Sequence, residues 1–247
     1  MINVIAIMGM PYCGSTLFAY QLGSLTNCAA IGELYNWAFR NYGTGKPISY
    51  GQCATCENCE HLTPEFREAL TAENVYQKYS ELFEVTNLID GSKVVPYYRD
   101  IVFPQYAQRT DVKIIPVILY KSPLESCASS KIHEGKLDDE SWCSVYEDAL
   151  SATEAMRNRI ILSYKDFVIN NAVFLKYFCD LLGETYTPNI VEYWNFEHHH
   201  LGGNSVTHIS LNDERHGEYT RNALGADVYE MERAAYHKKI SYMEKHS

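Results

Sequence analysis

Between Gly9 and Thr16 the chain reads GMPYCGST, and this turn joins two segments of different periodicity. The residues before it, INVIAIM from Ile2 to Met8, are almost wholly apolar and rich in β-branched side chains, the pattern of a strand covered on both faces. The residues after it, 15–25, place Leu17, Phe18, Leu22 and Leu25 at helical spacing. A buried strand that passes through a glycine turn into a helix is a building block of a parallel α/β sheet. It is also the context that a GxxxxG phosphate-binding turn requires. Backbone N–H groups of such a turn and the positive end of the following helix face one anion. Ser15 stands where nucleotide triphosphatases carry a lysine. The charge that holds the β- and γ-phosphates is then absent, which argues against ATP or GTP hydrolysis.

The alternation continues downstream. Strands are expected over 87–90 and 113–119, although Pro116 removes a ladder donor from the second. Helices are expected over 123–134 and 139–157, a short strand over 160–162, and a helix over 166–182 that stops at Gly183. Strands alternating with helices predict a parallel sheet flanked by helices. Residues 35–63 hold glycines, turn formers and three clustered cysteines without a clear period, and read as an inserted loop or lid. From residue 188 the chain is rich in aromatics and histidine, with a helix expected from 227. No repeat or linker interrupts 1–247, so one domain is the economical reading.

Composition narrows the partners. The 247 residues carry 31 acidic and 21 basic side chains, a formal charge of −10, with no block of Lys and Arg, which argues against nucleic acid as the main partner. The longest apolar run, 114–119, is far short of the roughly 20 residues that span a bilayer. The N-terminus has no basic region followed by a small-residue cleavage site, so a cytoplasmic location is expected. Of the eight cysteines, Cys13, Cys28, Cys127, Cys143 and Cys179 are scattered and read as reduced thiols. The other three, Cys53, Cys56 and Cys59, lie with His61 within nine residues and could close a tetrahedral zinc site; free thiols or a local disulfide are the alternatives. The run Glu197-His198-His199-His200 reads as a polar loop, because consecutive histidines point in different directions.

The run GMPYCGSTLFAYQL followed by IGEL resembles the opening of the sulfotransferase family, whose 5′-phosphosulfate loop reads G-x-P-[RK]-S-G-[ST]-T-L, with a Gly-Glu pair downstream in the tyrosylprotein and several bacterial branches. Further segments follow in the family's order. IDGSKVVPYYRD (89–100) is similar to the DsSK segment, VILYKSPLESCASS (117–130) to the 3′-phosphate segment, ILSYKDF (161–167) to the segment whose tyrosine lies near adenine, and HLGGNSV (200–206) to the late segment that closes over the nucleotide.

The resemblance implies a P-loop-like sulfotransferase fold and 3′-phosphoadenosine 5′-phosphosulfate as donor, bound without Mg²⁺. It assigns Glu33 as catalytic base and Lys93 as a second catalytic residue. It gives Tyr12, Cys13, Gly14, Ser15, Thr16, Leu17, Lys121, Ser129, Tyr164, Gly203 and Asn204 to the nucleotide. Three positions depart from the pattern. Tyr12 and Cys13 replace the loop's basic residue and serine, so charge on the leaving group falls to Lys93. Lys121 replaces an arginine, which keeps the charge but loses the bidentate fork. The implied reaction is sulfuryl transfer to a hydroxyl or amine of a small-molecule or glycan acceptor. A small-metabolite kinase and a catalytically inert nucleotide-binding module are the alternatives.

Overall fold

The alternating burial of β1 (Ile2–Met8) explains its sequence: Val4, Ala6 and Met8 enter one hydrophobic cluster, and Ile5 and Ile7 the other. All five are fully buried, so from Val4 onward the strand has no solvent face on which to place a polar residue. The computed structural model describes residues 1–35, 59–134 and 140–201. The cysteines Cys53 and Cys56, the segment containing Gly203 and Asn204, most of the expected lid and the expected C-terminal helix lie outside the described residues.

Among the described residues the order continues with α1 (Ser15–Gly23), β2 (Cys28–Gly32), α2 (Pro64–Glu68), α3 (Val75–Phe83) and β3 (Asn87–Lys93). Then come α4 (Val95–Tyr97), a π-helical turn (Tyr98–Val102), α5 (Phe103–Tyr106) and β4 (Val112–Tyr120). The last elements of this series are α6 (Pro123–Glu134), α7 (Glu140–Ala152), β5 (Ile160–Ser163), α8 (Tyr164–Ile169) and α9 (Asn171–Leu182). The five strands form one sheet in the order β2-β3-β1-β4-β5, and every pairing is parallel. From β1 the chain moves toward one edge and from β4 toward the other, which opens a crevice at the carboxyl ends of the strands.

Three expectations need correction. β2 was not foreseen, because CAAIG lacks the β-branched run that marks a strand. Its small residues have a packing cause: a Cβ added at Gly23 of α1 would lie 2.9 Å from the Cβ of Ala30, so helix and strand approach too closely for bulk. The helix expected over 166–182 is two, α8 and α9, broken at Asn170 (φ −111°, ψ 36°). The helix expected over 139–157 stops at Ala152.

Pro116, in contrast, sits inside β4 without breaking it. The strand pairs with β1 through Ala6 and Pro116, while β5 joins on the other side only from Val117. Asn158 donates to the carbonyl of Ile114 at 2.6 Å on that side. Residues two apart point their backbone groups the same way, so the N–H that Pro116 lacks would face the side where the β5 ladder has not begun.

Candidate active site

The five strands deliver the predicted residues to one end of the sheet. The glycine turn follows β1, Glu33 follows β2, Lys93 ends β3, Lys121 follows β4 and Tyr164 follows β5. Residues scattered over more than 130 positions of sequence thus share the crevice where open α/β sheets bind ligands.

The turn is built by local rules. Cys13 N–H donates to the carbonyl of Met10 at 3.2 Å, closing a β-turn with Pro11 at its second position and Tyr12 left-handed (φ 63°) at its third. Gly14 then caps α1 at φ 96°, a conformation open to glycine. A Cβ at Gly14 would also run into the ring of Tyr164, so the first turn of α1 and the start of α8 are packed backbone against ring. Cys13 is buried, and burial pushes its thiol pKa up although Lys93 and Lys121 pull it down. The turn therefore offers N–H groups and hydroxyls, and no charge from Tyr12 or Cys13.

Glu33 is aimed by the residue before it. Gly32 is left-handed (φ 81°), and a Cβ there would collide with the backbone of Leu201. Glu33 N–H donates to the carbonyl of Leu201 at 2.6 Å, and Gly32 and Leu201 form a parallel bridge. The side chain of Glu33 meets the ammonium of Lys93 in an ion pair, with both side chains mostly withdrawn from solvent. Lys93 is itself left-handed (φ 66°), and the β1–β3 register shifts there so that it pairs with Met8. Its carbonyl accepts from Gly9 N–H at 3.1 Å, tying the lysine to the start of the glycine turn.

Behind this pair stands Asp90, fully buried. Its Oδ1 accepts from the Ser92 hydroxyl (2.6 Å) and N–H (3.0 Å), and its Oδ2 accepts from Tyr76 (2.9 Å). Burial raises the carboxyl pKa to about 6, against the lowering effect of these donors. Ser92 Oγ in turn accepts from Tyr35 N–H at 3.1 Å, two residues beyond Glu33. Tyr97 and Tyr98 are buried in the core around Asp90. Tyr193 is buried against Tyr20.

Across the turn, Lys121 Nζ donates to Ser129 Oγ at 3.0 Å and lies 4.6 Å from the centroid of the Tyr164 ring. The backbone of Lys121 is fixed by Trp142, whose indole N–H donates to its carbonyl at 3.0 Å. Burial lowers the lysine's pKa from its ordinary value. A hollow beside the turn is lined by residues that include Ser15, Thr16, Gly32, Glu33, Gly91 and His200.

His200 was missed by the sequence reading, which placed it in a polar loop. His198 and His200 are both buried against Tyr20, at ring distances of 4.5 and 4.6 Å. His198 also meets the carbonyl of Tyr193 at 2.9 Å. The expectation that the three rings diverge holds, since His199 faces Cys59, His61 and Phe83 instead. The Gly32–Leu201 bridge is the reason for the burial: it draws this stretch against the edge of the sheet.

A solved structure of the sulfotransferase domain from the Synechococcus PCC 7002 olefin synthase superposes on this chain with a TM-score of 0.59, covering 88% of it and 83% of that domain at 17% identity. This is a sulfotransferase fold. The sulfotransferase domain from the curacin biosynthetic pathway agrees, with a TM-score of 0.56, 85% and 83% coverage and 16% identity. No protein-family model matches the sequence, and no curated protein does. Among the described residues of this sulfotransferase-fold chain, no helix is long and apolar enough to cross a membrane.

Proposed function

We propose that this chain transfers a sulfuryl group from 3′-phosphoadenosine 5′-phosphosulfate to a hydroxyl or amine of a small-molecule or glycan acceptor. The observation that carries the reading is the Glu33–Lys93 pair beside an uncharged glycine turn, with a second half-buried lysine, Lys121, across it. A donor with two phosphates and a sulfate suits a site whose cations flank a turn of N–H groups. The Lys121–Ser129 pair, two donors converging beside the turn, fits such a polyanion.

In this reading Glu33 accepts the proton of the acceptor. The acceptor oxygen or nitrogen bonds to sulfur while the bond from sulfur to the bridging oxygen breaks, and adenosine 3′,5′-bisphosphate leaves. Lys93 and the N–H groups of Gly14, Ser15 and Thr16 stabilise the charge gathering on the bridging oxygen and the transferred group. Lys121 and Ser129 hold the 3′-phosphate, with Tyr164 beside the adenine. The hollow beside Glu33 receives the acceptor.

Thermal shift and a labelled-sulfate assay test this. Adenosine 3′,5′-bisphosphate should raise the melting temperature where ATP with Mg²⁺ does not, and label should pass to a member of a carbohydrate, lipid and phenolic acceptor panel. Stabilisation by ATP with Mg²⁺ alone would favour a kinase. Bisphosphate binding without transfer to any acceptor would favour a nucleotide-binding module, a result that the uncharged Tyr12 and Cys13 make worth distinguishing.

A further inference from the structure

Where β1 and β4 part at the crevice, one side chain stands between them. Their ladder runs as far as the pair Met8 and Ile118. Gly9 N–H turns to the other neighbour, β3, and donates to the carbonyl of Lys93. Backbone groups alternate in direction along a strand, so Met10 N–H turns toward β4, and the next rung would run from it to the carbonyl of Leu119. A hydroxyl takes the place of that rung. Met10 N–H donates to Tyr146 Oη at 3.4 Å, and the Tyr146 hydroxyl donates to the Leu119 carbonyl at 3.2 Å. We infer that Tyr146, on α7, is a positioning residue of the proposed nucleotide site: its hydroxyl fixes the span between the glycine turn and Lys121, and so favours a nucleotide that carries phosphates at both its 5′ and 3′ positions.

The identity of the ligand rests on the sulfotransferase reading, while the brace is a property of the fold. Met10, Leu119 and Tyr146 are all buried, and a buried backbone N–H or carbonyl needs a partner. Burial raises the pKa of the Tyr146 phenol, so it keeps the proton that it gives to Leu119. A Cβ at Gly9 would collide with the Leu119 carbonyl and touch the Tyr146 hydroxyl. The entry to the turn is therefore seated against both.

The same helix holds the other subsite. Trp142, four residues earlier and so on the same face of α7, gives its indole N–H to the carbonyl of Lys121 at 3.0 Å, and its ring lies 4.8 Å from that of Tyr146. One rigid element thus grips both the turn and the lysine that pairs with Ser129. Loss of the hydroxyl releases the turn from β4 and leaves the span unfixed. A ligand that bridges both subsites must then restore the span at a cost in affinity, and a ligand that touches one subsite does not sense it.

Tyr146→Phe keeps the ring and removes the hydroxyl. Calorimetry should show adenosine 3′,5′-bisphosphate weakened by about 10-fold, the order of one hydrogen bond, with adenosine 5′-monophosphate and adenosine 3′-monophosphate each changed by less than about 2-fold. A residue that served stability alone would leave the ratio of these affinities where it was. In the ligand-free protein, hydrogen exchange at the Met10 amide should quicken by about 10-fold or more, a readout that needs no nucleotide. If Tyr146→Phe fails to fold, Trp142→Phe tests the same brace from its other end and should lower the same ratio by releasing Lys121. Equal losses for all three nucleotides, or an unchanged bisphosphate affinity in both variants, overturn the inference. So does exchange at Met10 that keeps its wild-type rate in Tyr146→Phe. Wild-type protein that binds none of the three nucleotides overturns the sulfotransferase reading instead, and the nucleotide role of Tyr146 falls with it.

Discussion

Lys93 ends β3 in a left-handed backbone conformation and pairs its ammonium with the carboxylate of Glu33, the residue after β2. The two strands are neighbours in the sheet, so their carboxyl ends place the residues side by side. A side chain at this φ costs about 1–2 kcal/mol that glycine would avoid. The sequence has a glycine nearby, at Gly91, but keeps lysine at the strained position. Strain of this kind persists where the side chain has a task.

The strain can be separated from the task. At φ 66° alanine keeps the penalty and glycine removes it, and both delete the ammonium. Lys93→Gly should therefore be about 1 kcal/mol more stable than Lys93→Ala in urea denaturation, while both lose the proposed sulfuryl transfer to a similar extent. Equal stabilities would mean that the left-handed conformation is not held in solution.

How far the sequence could carry this reading depended on how local each signal was. β1, β4 and α6 were legible because burial on both faces, or helical spacing with a following turn, is written within a dozen residues. β2 was not, since alanines chosen to admit α1 carry no strand signature. Glu33, Lys93, Lys121 and Tyr164 were legible as motif residues, but only the parallel order of the strands brings them together. His199 and His200 were hidden because their placement depends on the bridge from Leu201 to Gly32, a contact that no local pattern encodes.

Gly14 carries two separable constraints, its left-handed φ of 96° and the Tyr164 ring against its Cα. Gly14→Ala should destabilise the fold by about 2–4 kcal/mol, the backbone part being about 1–2. In a Tyr164→Ala background the steric part disappears and only the backbone part remains. A double-mutant cycle by chemical denaturation should thus show strong non-additivity. Additive effects would place the ring away from the turn.

Lys121 is a case of stability set against binding. Its charge is held in a half-buried position, and partial burial lowers its pKa below the ordinary value. The unfolded chain then holds this proton more tightly than the folded one, so stability rises as pH increases from the folded value toward the unfolded one. Lys121→Met should abolish that rise and leave the ligand-free protein at least as stable near neutral pH. It should also weaken adenosine 3′,5′-bisphosphate by about 10-fold or more, the order expected for one charge-assisted phosphate contact, with little effect on adenosine 5′-monophosphate. Equal losses for both nucleotides would remove Lys121 from the 3′-phosphate.

Asp90 should leave its mark on the pH dependence of stability. Burial raises its carboxyl from 3.8 to about 6, so the folded state holds the proton more tightly than the unfolded chain. Its favourable contribution is complete below the unfolded value and is lost as pH rises through the folded one. Between about pH 4 and 6 the wild-type protein should lose up to about 2–3 kcal/mol through this group. Tyr76, Tyr97 and Tyr98, which surround it, have raised pKa values and stay neutral throughout that window. Asp90→Asn keeps an acceptor for Ser92 and requires only that the Tyr76 hydroxyl accept from the new amide instead of donating. Urea denaturation of both proteins from pH 4 to 7.5 should show the variant gaining on the wild type up to pH 6 and running parallel above it. A difference constant across the whole range would mean that Asp90 does not ionise in this window. If the gain appears, ionisation of Asp90 also bears on the site, because Asp90 orients Ser92 and Ser92 receives the N–H of Tyr35 beside the segment that carries Glu33.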